Sequence, residues 1–275
     1  MVEALPEPSE RELTSIVDLV YQKSGIVLHE GKRALIMARL QRRVRAGGFG
    51  SFAGYLAHVR ADRTGSALAG LIDAIATNHT SFFREVEHFQ FLRDRIVPAL
   101  AARPLPIRAW SAACATGEEP YSIAITLLDS LPESRHGSVS ILASDLSGKA
   151  LQAARAAVFA TTRVSELPRP VLQKHFERGV DAQEGLVRVA AATRSRVQFR
   201  QLNLLEIERI GPFDFIFCRN VMIYFDRAGR QRVVSMLERN VAPGGYCFVS
   251  HSESLTGLTH SLRWVAPSVY QRVTA

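Results

Sequence analysis

WSAACATGEEPYS, residues 110–122, is the stretch on which the fold turns. It closes a short apolar run, IRAWSA (107–112), that reads as a strand, and it opens a helical pattern over 118–130. Between the two, Ser111, Ala112, Ala113, Ala115 and Gly117 are all small, so a ligand can approach the backbone closely. The same alternation repeats downstream. SVSILAS (138–144) reads as a strand, SGKALQAARAAVF (147–159) as a helix, DFIFC (214–218) as a strand and 227–239 as a helix. Pro243-Gly244-Gly245 is expected to turn the chain into YCFVS, and WVAPSVYQRV to form a final strand. Strands alternating with helices predict an α/β domain with a mostly parallel, doubly wound sheet of the Rossmann-like kind. GLVRV (185–189) and RVQFR (196–200) alternate apolar and polar residues, which predicts an antiparallel β-hairpin inserted at about 165–202.

Upstream of Pro104 and Pro106 the pattern is helical. A first helix starts at Ser9 or Thr14 and ends at Gly25, and a second runs from Glu30 to Ala46 before Gly47-Gly48. SFAGYLAHVR from Ser51 and residues 66–76 give a third and a fourth, and a longer helix runs from Glu85 to about Leu100. The expected organisation is an N-terminal all-helical domain (1–85), a linker helix (86–105) and the α/β domain (106–275).

Composition narrows the function classes. The chain has 275 residues, 47% apolar and 22% charged, an ordinary globular balance with room for a sizeable core. No apolar run reaches the roughly 18–20 residues of a membrane span. The start, MVEALPEPSERE, is acidic and is not expected to be a secretory signal. Cys114, Cys218 and Cys247 are odd in number and lack metal-ligand spacing, so neither a disulfide framework nor a metal is expected. They point to a reducing, cytoplasmic setting. The formal net charge of +8 suits a nucleic acid, an anionic surface or an acidic protein. No zinc-finger spacing or RNA-binding aromatic signature favours the first.

Ligands of open α/β sheets bind beyond the carboxyl ends of the strands. Three strand ends carry suggestive residues. At the first, Glu118 and Glu119 open the helix where a dinucleotide fold would receive phosphate, and two carboxylates would repel a pyrophosphate. A cationic, phosphate-free ligand fits better, and S-adenosylmethionine has both properties; the plainer reading is a helix cap, with Thr116 and Glu119 as a capping box. At the second, Asp145 either accepts the hydroxyls of a ribose or caps the next helix, a task open equally to Ser147. At the third, Arg219 and Asn220 end a buried strand, with Tyr224 just beyond.

Several stretches in order carry a resemblance. TNHTSFFRE (77–85), ATGEEPYSIA (115–124), ILASDLS (141–147), NLL (203–205), CRNVMIYFD (218–226) and PGGYCFVSHSESL (243–255) resemble the successive signatures of the chemotaxis receptor methyltransferase family, CheR. The resemblance covers nearly the whole chain. It implies a protein-glutamate O-methyltransferase that uses S-adenosylmethionine, releases S-adenosylhomocysteine and esterifies glutamates on chemotaxis receptors. It also implies site roles. Asn78, Thr80 and Arg84 match a motif that joins the two domains and touches the cofactor. Glu118 matches the acid that holds the methionine or ribose portion, and Asp145 the ribose or adenosine contact. Asn203 and Leu204 match residues beside the adenine, Arg219 and Asn220 the pair under the methionyl part, and Tyr224 the tyrosine near the methyl group.

The chemistry implied asks little of the protein. A glutamate of pKa about 4.3 is already ionised at neutral pH, so no general base is required and no catalytic histidine is expected. Two roles are open to Arg84: orienting the acceptor carboxylate, or supporting the cofactor pocket. Two are open to Tyr224: lining the methyl channel, or donating a hydrogen bond. Lys32 to Arg45 holds six basic residues and no acid. Lys32, Arg39 and Arg43, with Arg42 beside them, would face an acidic helix such as the cytoplasmic helical region of a receptor. The alternative is a solvated basic face. The inserted β-unit suits a receptor's C-terminal tail at a sheet edge, as in some relatives. A monomer without bound nucleic acid or membrane insertion is expected. The competing functions are methyl transfer to another acceptor, a non-catalytic S-adenosylmethionine-binding regulatory module and nucleic-acid binding.

Overall fold

In the computed structural model, residues 8–28, 33–75, 79–104 and 106–273 are described. The candidate residues Lys32 and Asn78 lie outside them.

Helix α1 (Glu10–Ser24) starts at Ser9, whose hydroxyl accepts from the Glu12 amide while the Glu12 carboxylate accepts from the Ser9 amide. It stops at Gly25, in the left-handed conformation (φ 70°) that glycine adopts without a Cβ clash. Helices α2 (Arg33–Ala46), α3 (Phe52–Ala61) and α4 (Ser66–Ile75) follow. Ile16 and Val20 of α1, Leu40 and Val44 of α2, Phe52 of α3 and Leu71 of α4 bury their side chains in one apolar core. The expected long helix is broken into α5 (Val86–Phe91), a π-helical turn (Leu92–Ile96) and α6 (Val97–Ala101). The widened turn stands just before Pro98, which has no N–H and crowds the carbonyl four residues back.

The α/β part runs β1 (Ile107–Ala112), α7 (Glu118–Ser130), the short α8 (Glu133–His136), β2 (Val139–Asp145) and α9 (Gly148–Ala156). Then come β3 (Val158–Ala160), α10 (Arg169–His175), β4 (Phe176–Arg178), β5 (Leu186–Val189), α11 (Ala191–Arg194) and β6 (Val197–Gln201). The chain closes with β7 (Phe213–Cys218), α12 (Arg227–Asn240), β8 (Val241–Phe248), β9 (Arg263–Ala266) and β10 (Val269–Gln271). Seven strands form one sheet in the order β6-β2-β1-β7-β8-β10-β9. The first five are mutually parallel, and β10 is antiparallel to both β8 and β9. Ile107 and Ala109 of β1 join one apolar core while Trp110 and Ala112 join the other, so both sheet faces are covered. Strand order reverses between β1 and β7, which opens a crevice beyond their carboxyl ends.

Three local expectations are corrected. GLVRV and RVQFR do not pair: Leu186–Val189 is the middle strand of a separate antiparallel sheet, order β3-β5-β4, while Val197–Gln201 pairs in parallel with β2. That small sheet spans 158–189, earlier than an insertion over about 165–202 would place it. Alternating polarity reports one exposed face, which the edge strand of a parallel sheet also has. Pro243-Gly244-Gly245 does not turn into a strand but makes an irregularity inside β8, where a Cβ on Gly245 would crowd the Asp214 carbonyl. WVAPSVYQRV is two antiparallel strands, because Ser268 takes φ 58° and reverses the chain after Pro267.

The helical domain meets the α/β part at the end of α1. The Val27 amide donates to the Tyr224 carbonyl (2.8 Å), Tyr21 Oη donates to Asp226 Oδ2 (2.7 Å) and Ile26 bridges Phe225. A Cβ on Gly25 would run into the Leu205 side chain in a backbone conformation that already disfavours one. Gly25→Ala is therefore expected to destabilise the protein by about 1–3 kcal/mol. Chemical denaturation checks this, and an unchanged midpoint would mean that the junction yields freely.

Candidate active site

A cleft of about 1350 Å³, open to solvent, lies at the crevice. Its walls come from the ends of β1, β2 and β7, Leu202 to Leu204 after β6, Glu119 of α7, the segment 79–84 with Phe89, and Ser24, Ile26, Val27, Leu28, Arg39 and Ile75 of the helical domain.

The loop after β1 is built for close approach. Ala113 (φ 66°), Ala115 (φ 48°) and Gly117 (φ 101°) all take positive φ. Alanine rarely does so, and such strain persists where surrounding structure holds it, most often at functional sites. Phe83, Glu85 and Asn220, also at positive φ, stand in or beside the same cleft. Gly117 is the N-cap residue of α7 and no side chain caps that helix, so the expected capping box of Thr116 and Glu119 is not formed. Thr116 Oγ1 instead bonds Glu118 Oε2 (2.6 Å), and Ser111 Oγ bonds Glu119 Oε1 (2.7 Å).

Asp145 ends β2 in the cleft wall, and its carboxylate accepts from the Ala115 and Ser147 amides at 2.8 Å each. Helix α9 is capped by Ser147, whose hydroxyl accepts from Ala150, so Asp145 is not the cap. Burial raises the Asp145 carboxyl above its ordinary value, against the lowering pull of those amides. Asn203 and Leu204 line the wall after β6. Asn203 Nδ2 donates to the Lys23 carbonyl (3.1 Å), which ties this wall to the helical domain.

On the opposite side Thr80 is buried, and Arg84 Nη1 donates to the His79 carbonyl (3.0 Å). Arg219 is almost wholly buried under the cleft. It pairs with Glu85 (3.2 Å) and Glu119 (3.4 Å), donates to the Arg84 carbonyl, and lies over the rings of Phe89 and Phe217. Asn220 Nδ2 donates to Ser250 Oγ (2.6 Å). Tyr224 lines the cleft beside Val221 and Phe225.

The structure thus gathers Thr80, Arg84, Asp145, Asn203, Leu204, Arg219, Asn220 and Tyr224 around one space. Glu118 is not on its wall: the carboxylate is buried in an ion pair with Arg163, which also donates to the Thr80 carbonyl. The acid that does face the cleft is Glu119, raised by burial against the lowering pulls of Arg219 and Ser111. Of the basic residues of α2, Arg39 reaches the cleft and Arg42 is exposed, whereas Arg43 packs on Gly70 and donates from Nε to Tyr55 Oη (3.1 Å). Sequence reasoning missed Glu253. Its carboxylate accepts from the amides of Ser250, Asn220, Val221 and Met222 at 2.8–2.9 Å and so fixes the loop after β7. The HSESL stretch that contains it was the signal.

A strand-end acid free of capping duty, a backbone cradle of left-handed alanines and acids where a phosphate would sit define an α/β protein that binds a phosphate-free nucleoside. Comparison with known proteins sharpens that class. Residues 11–76 match the family description "CheR methyltransferase, all-alpha domain", and 78–270 match "CheR methyltransferase, SAM binding domain". The "Chemotaxis protein methyltransferase" of Klebsiella aerogenes is 40% identical over 98% of this chain and 92% of its own. "Chemotaxis protein methyltransferase 2" of Pseudomonas aeruginosa is 40% identical over 95% of this chain and 93% of its own. The Escherichia coli "Chemotaxis protein methyltransferase" is 38% identical over 95% and 91%. The chain belongs to the CheR methyltransferase family, and its cofactor is S-adenosylmethionine. The donor set fits that cofactor: carboxylates for a sulfonium and an ammonium, and an acceptor for ribose hydroxyls.

A pH dependence follows. The free protein holds Glu119 and Asp145 protonated to higher pH than usual, whereas a cation and hydroxyl donors favour their ionised forms. Cofactor binding should therefore release protons, and affinity should fall as pH drops through the raised values. Calorimetry across the acidic range in buffers of different ionisation heat reads the release directly. Asp145→Asn should diminish it, and no release at any acidic pH would contradict the assignment.

Proposed function

We propose that this chain transfers the methyl group of S-adenosylmethionine to glutamate side-chain carboxylates of chemotaxis receptors, yielding glutamate methyl esters and S-adenosylhomocysteine. The observation that carries the reading is one cleft lined by Asp145, Asn203 and Leu204 together with Arg84, Arg219, Tyr224 and, from the helical domain, Arg39. Cofactor residues and a basic acceptor approach share a single space.

The cofactor supplies an activated methyl on a sulfonium; a bond from carboxylate oxygen to methyl forms as the sulfur–methyl bond breaks. The acceptor is already an anion, so no residue has to remove a proton. The chain's work is to bind, align and exclude water. Asp145 takes the ribose hydroxyls. Thr80 and the Asn203-Leu204 pair hold the nucleoside, and Arg219 and Asn220 support the methionyl end. Arg84 has guanidinium donors beyond its bond to the His79 carbonyl, enough to orient a carboxylate. Tyr224 walls the methyl's path. Arg39 and Arg42 meet a glutamate-rich receptor helix on the cytoplasmic side, while Arg43 serves the helical core. β3 and β4, the outer strands of the small sheet, are free edges on which a receptor's C-terminal tail can add a strand.

Labelled methyl transfer to a receptor cytoplasmic fragment, beside one whose candidate glutamates are alanine, tests the reading. Label should reach only the intact fragment and leave it in mild base. Transfer to RNA or a small molecule instead would overturn it. Arg84→Ala should lower kcat/KM for the receptor by roughly 10²-fold, the scale of a misaligned acceptor, with cofactor affinity nearly unchanged. A matching loss of cofactor affinity would move Arg84 to the pocket's support.

A further inference from the structure

Beside Arg219, Glu85, His88 and His251 converge. Each offers one ligand atom, and the three atoms lie within 4.8 Å of one another. The residues come from different places: Glu85 precedes α5, His88 is in its first turn, and His251 follows β8. His88 is 1% exposed, and neither of its ring nitrogens makes a hydrogen bond. Glu85 Oε2 lies 3.4 Å from Nδ1, and the Pro267 carbonyl makes only a weak, misaligned contact with the ring. A buried imidazole left in that state costs free energy unless something else engages it.

We propose that Glu85, His88 and His251 form a binding site for a divalent transition-metal ion of the zinc class. Two imidazoles and one carboxylate are a ligand set that zinc accepts, with a remaining position for water. Closing the ligand atoms to the spacing a metal at about 2.0–2.2 Å requires needs side-chain adjustment only, since His251 and Glu85 are both partly solvent-accessible. His251 already has an orienting partner: its Nδ1 lies 3.2 Å from Ser268 Oγ, leaving Nε2 for the ion. Glu87 Oε2, 3.7 Å from that Nε2, stands on the exposed side. Arg219 also pairs with Glu85 but keeps Glu119 as a second carboxylate, so Glu85 can serve a cation without leaving the guanidinium bare. The inference is independent of the acceptor and of methyl transfer. It departs from the expectation of no metal, which rested on cysteine spacing; His88 and His251 are too far apart in sequence to suggest a pair.

The test uses the full chain, stripped with chelator and titrated with Zn²⁺ by calorimetry, with Co²⁺ absorption as a coordination probe. One ion per chain should bind, with a rise in Tm at one equivalent and a Co²⁺ spectrum of imidazole coordination. His251→Ala, at an exposed position, should weaken binding at least tenfold, and His88→Gln should do the same. His58→Ala, at a histidine outside the cluster, should change nothing. No stoichiometric binding, or binding indifferent to His251→Ala, would overturn the proposal.

Discussion

The buried guanidinium of Arg219 is the constraint around which the active cleft is organised. A charge removed from water is tolerated only when it is paired and hydrogen-bonded. Arg219 meets that demand with carboxylates from two separate segments, Glu85 before α5 and Glu119 in α7, and with the carbonyl of Arg84. Satisfying one cation therefore fixes the segment 79–85, the start of α7 and the end of β7 relative to one another. The rings of Phe89 and Phe217 complete its surroundings. Removing both carboxylates would strand a charge in the interior.

A second carboxylate does comparable work for the backbone. Glu253 gathers four amides and holds the loop in which Asn220 takes a positive φ. Strain at Asn220, Ala113 and Ala115 is thus confined to places where buried acids, Glu253 and Asp145, accept hydrogen bonds from the strained segments. These strained residues lie beyond the ends of β1 and β7, where the cleft opens.

Much of this was legible in the residues. The short apolar runs located β1, β2 and β7, and small residues after β1 marked the crevice, because both signals are local. What the residues did not show was non-local or depended on a rotation. Glu118 and Glu119 are neighbours in one helical turn, about 100° apart, so polarity alone cannot say which one faces the ligand. In the structure Glu118 turns to Arg163 and Glu119 to the cleft. RVQFR carries an edge-strand pattern that fits either an antiparallel or a parallel neighbour. The basic run of α2 reads as one face, yet Arg43 is drawn inward by Tyr55 and Gly70, residues whose proximity only the tertiary fold creates.

The wall shared by the two domains has a thermodynamic consequence. Asn203 holds the Lys23 carbonyl, Val27 holds that of Tyr224, and Ser24 to Leu28 complete the lining. A ligand seated there touches both bodies at once and binds best when they are together. By linkage, whatever affinity depends on that closed wall is returned as added cohesion between the domains. The cofactor then acts as mortar as well as reagent, and the resistance of the helical domain to being prised away becomes a measure of how fully the enzyme is charged.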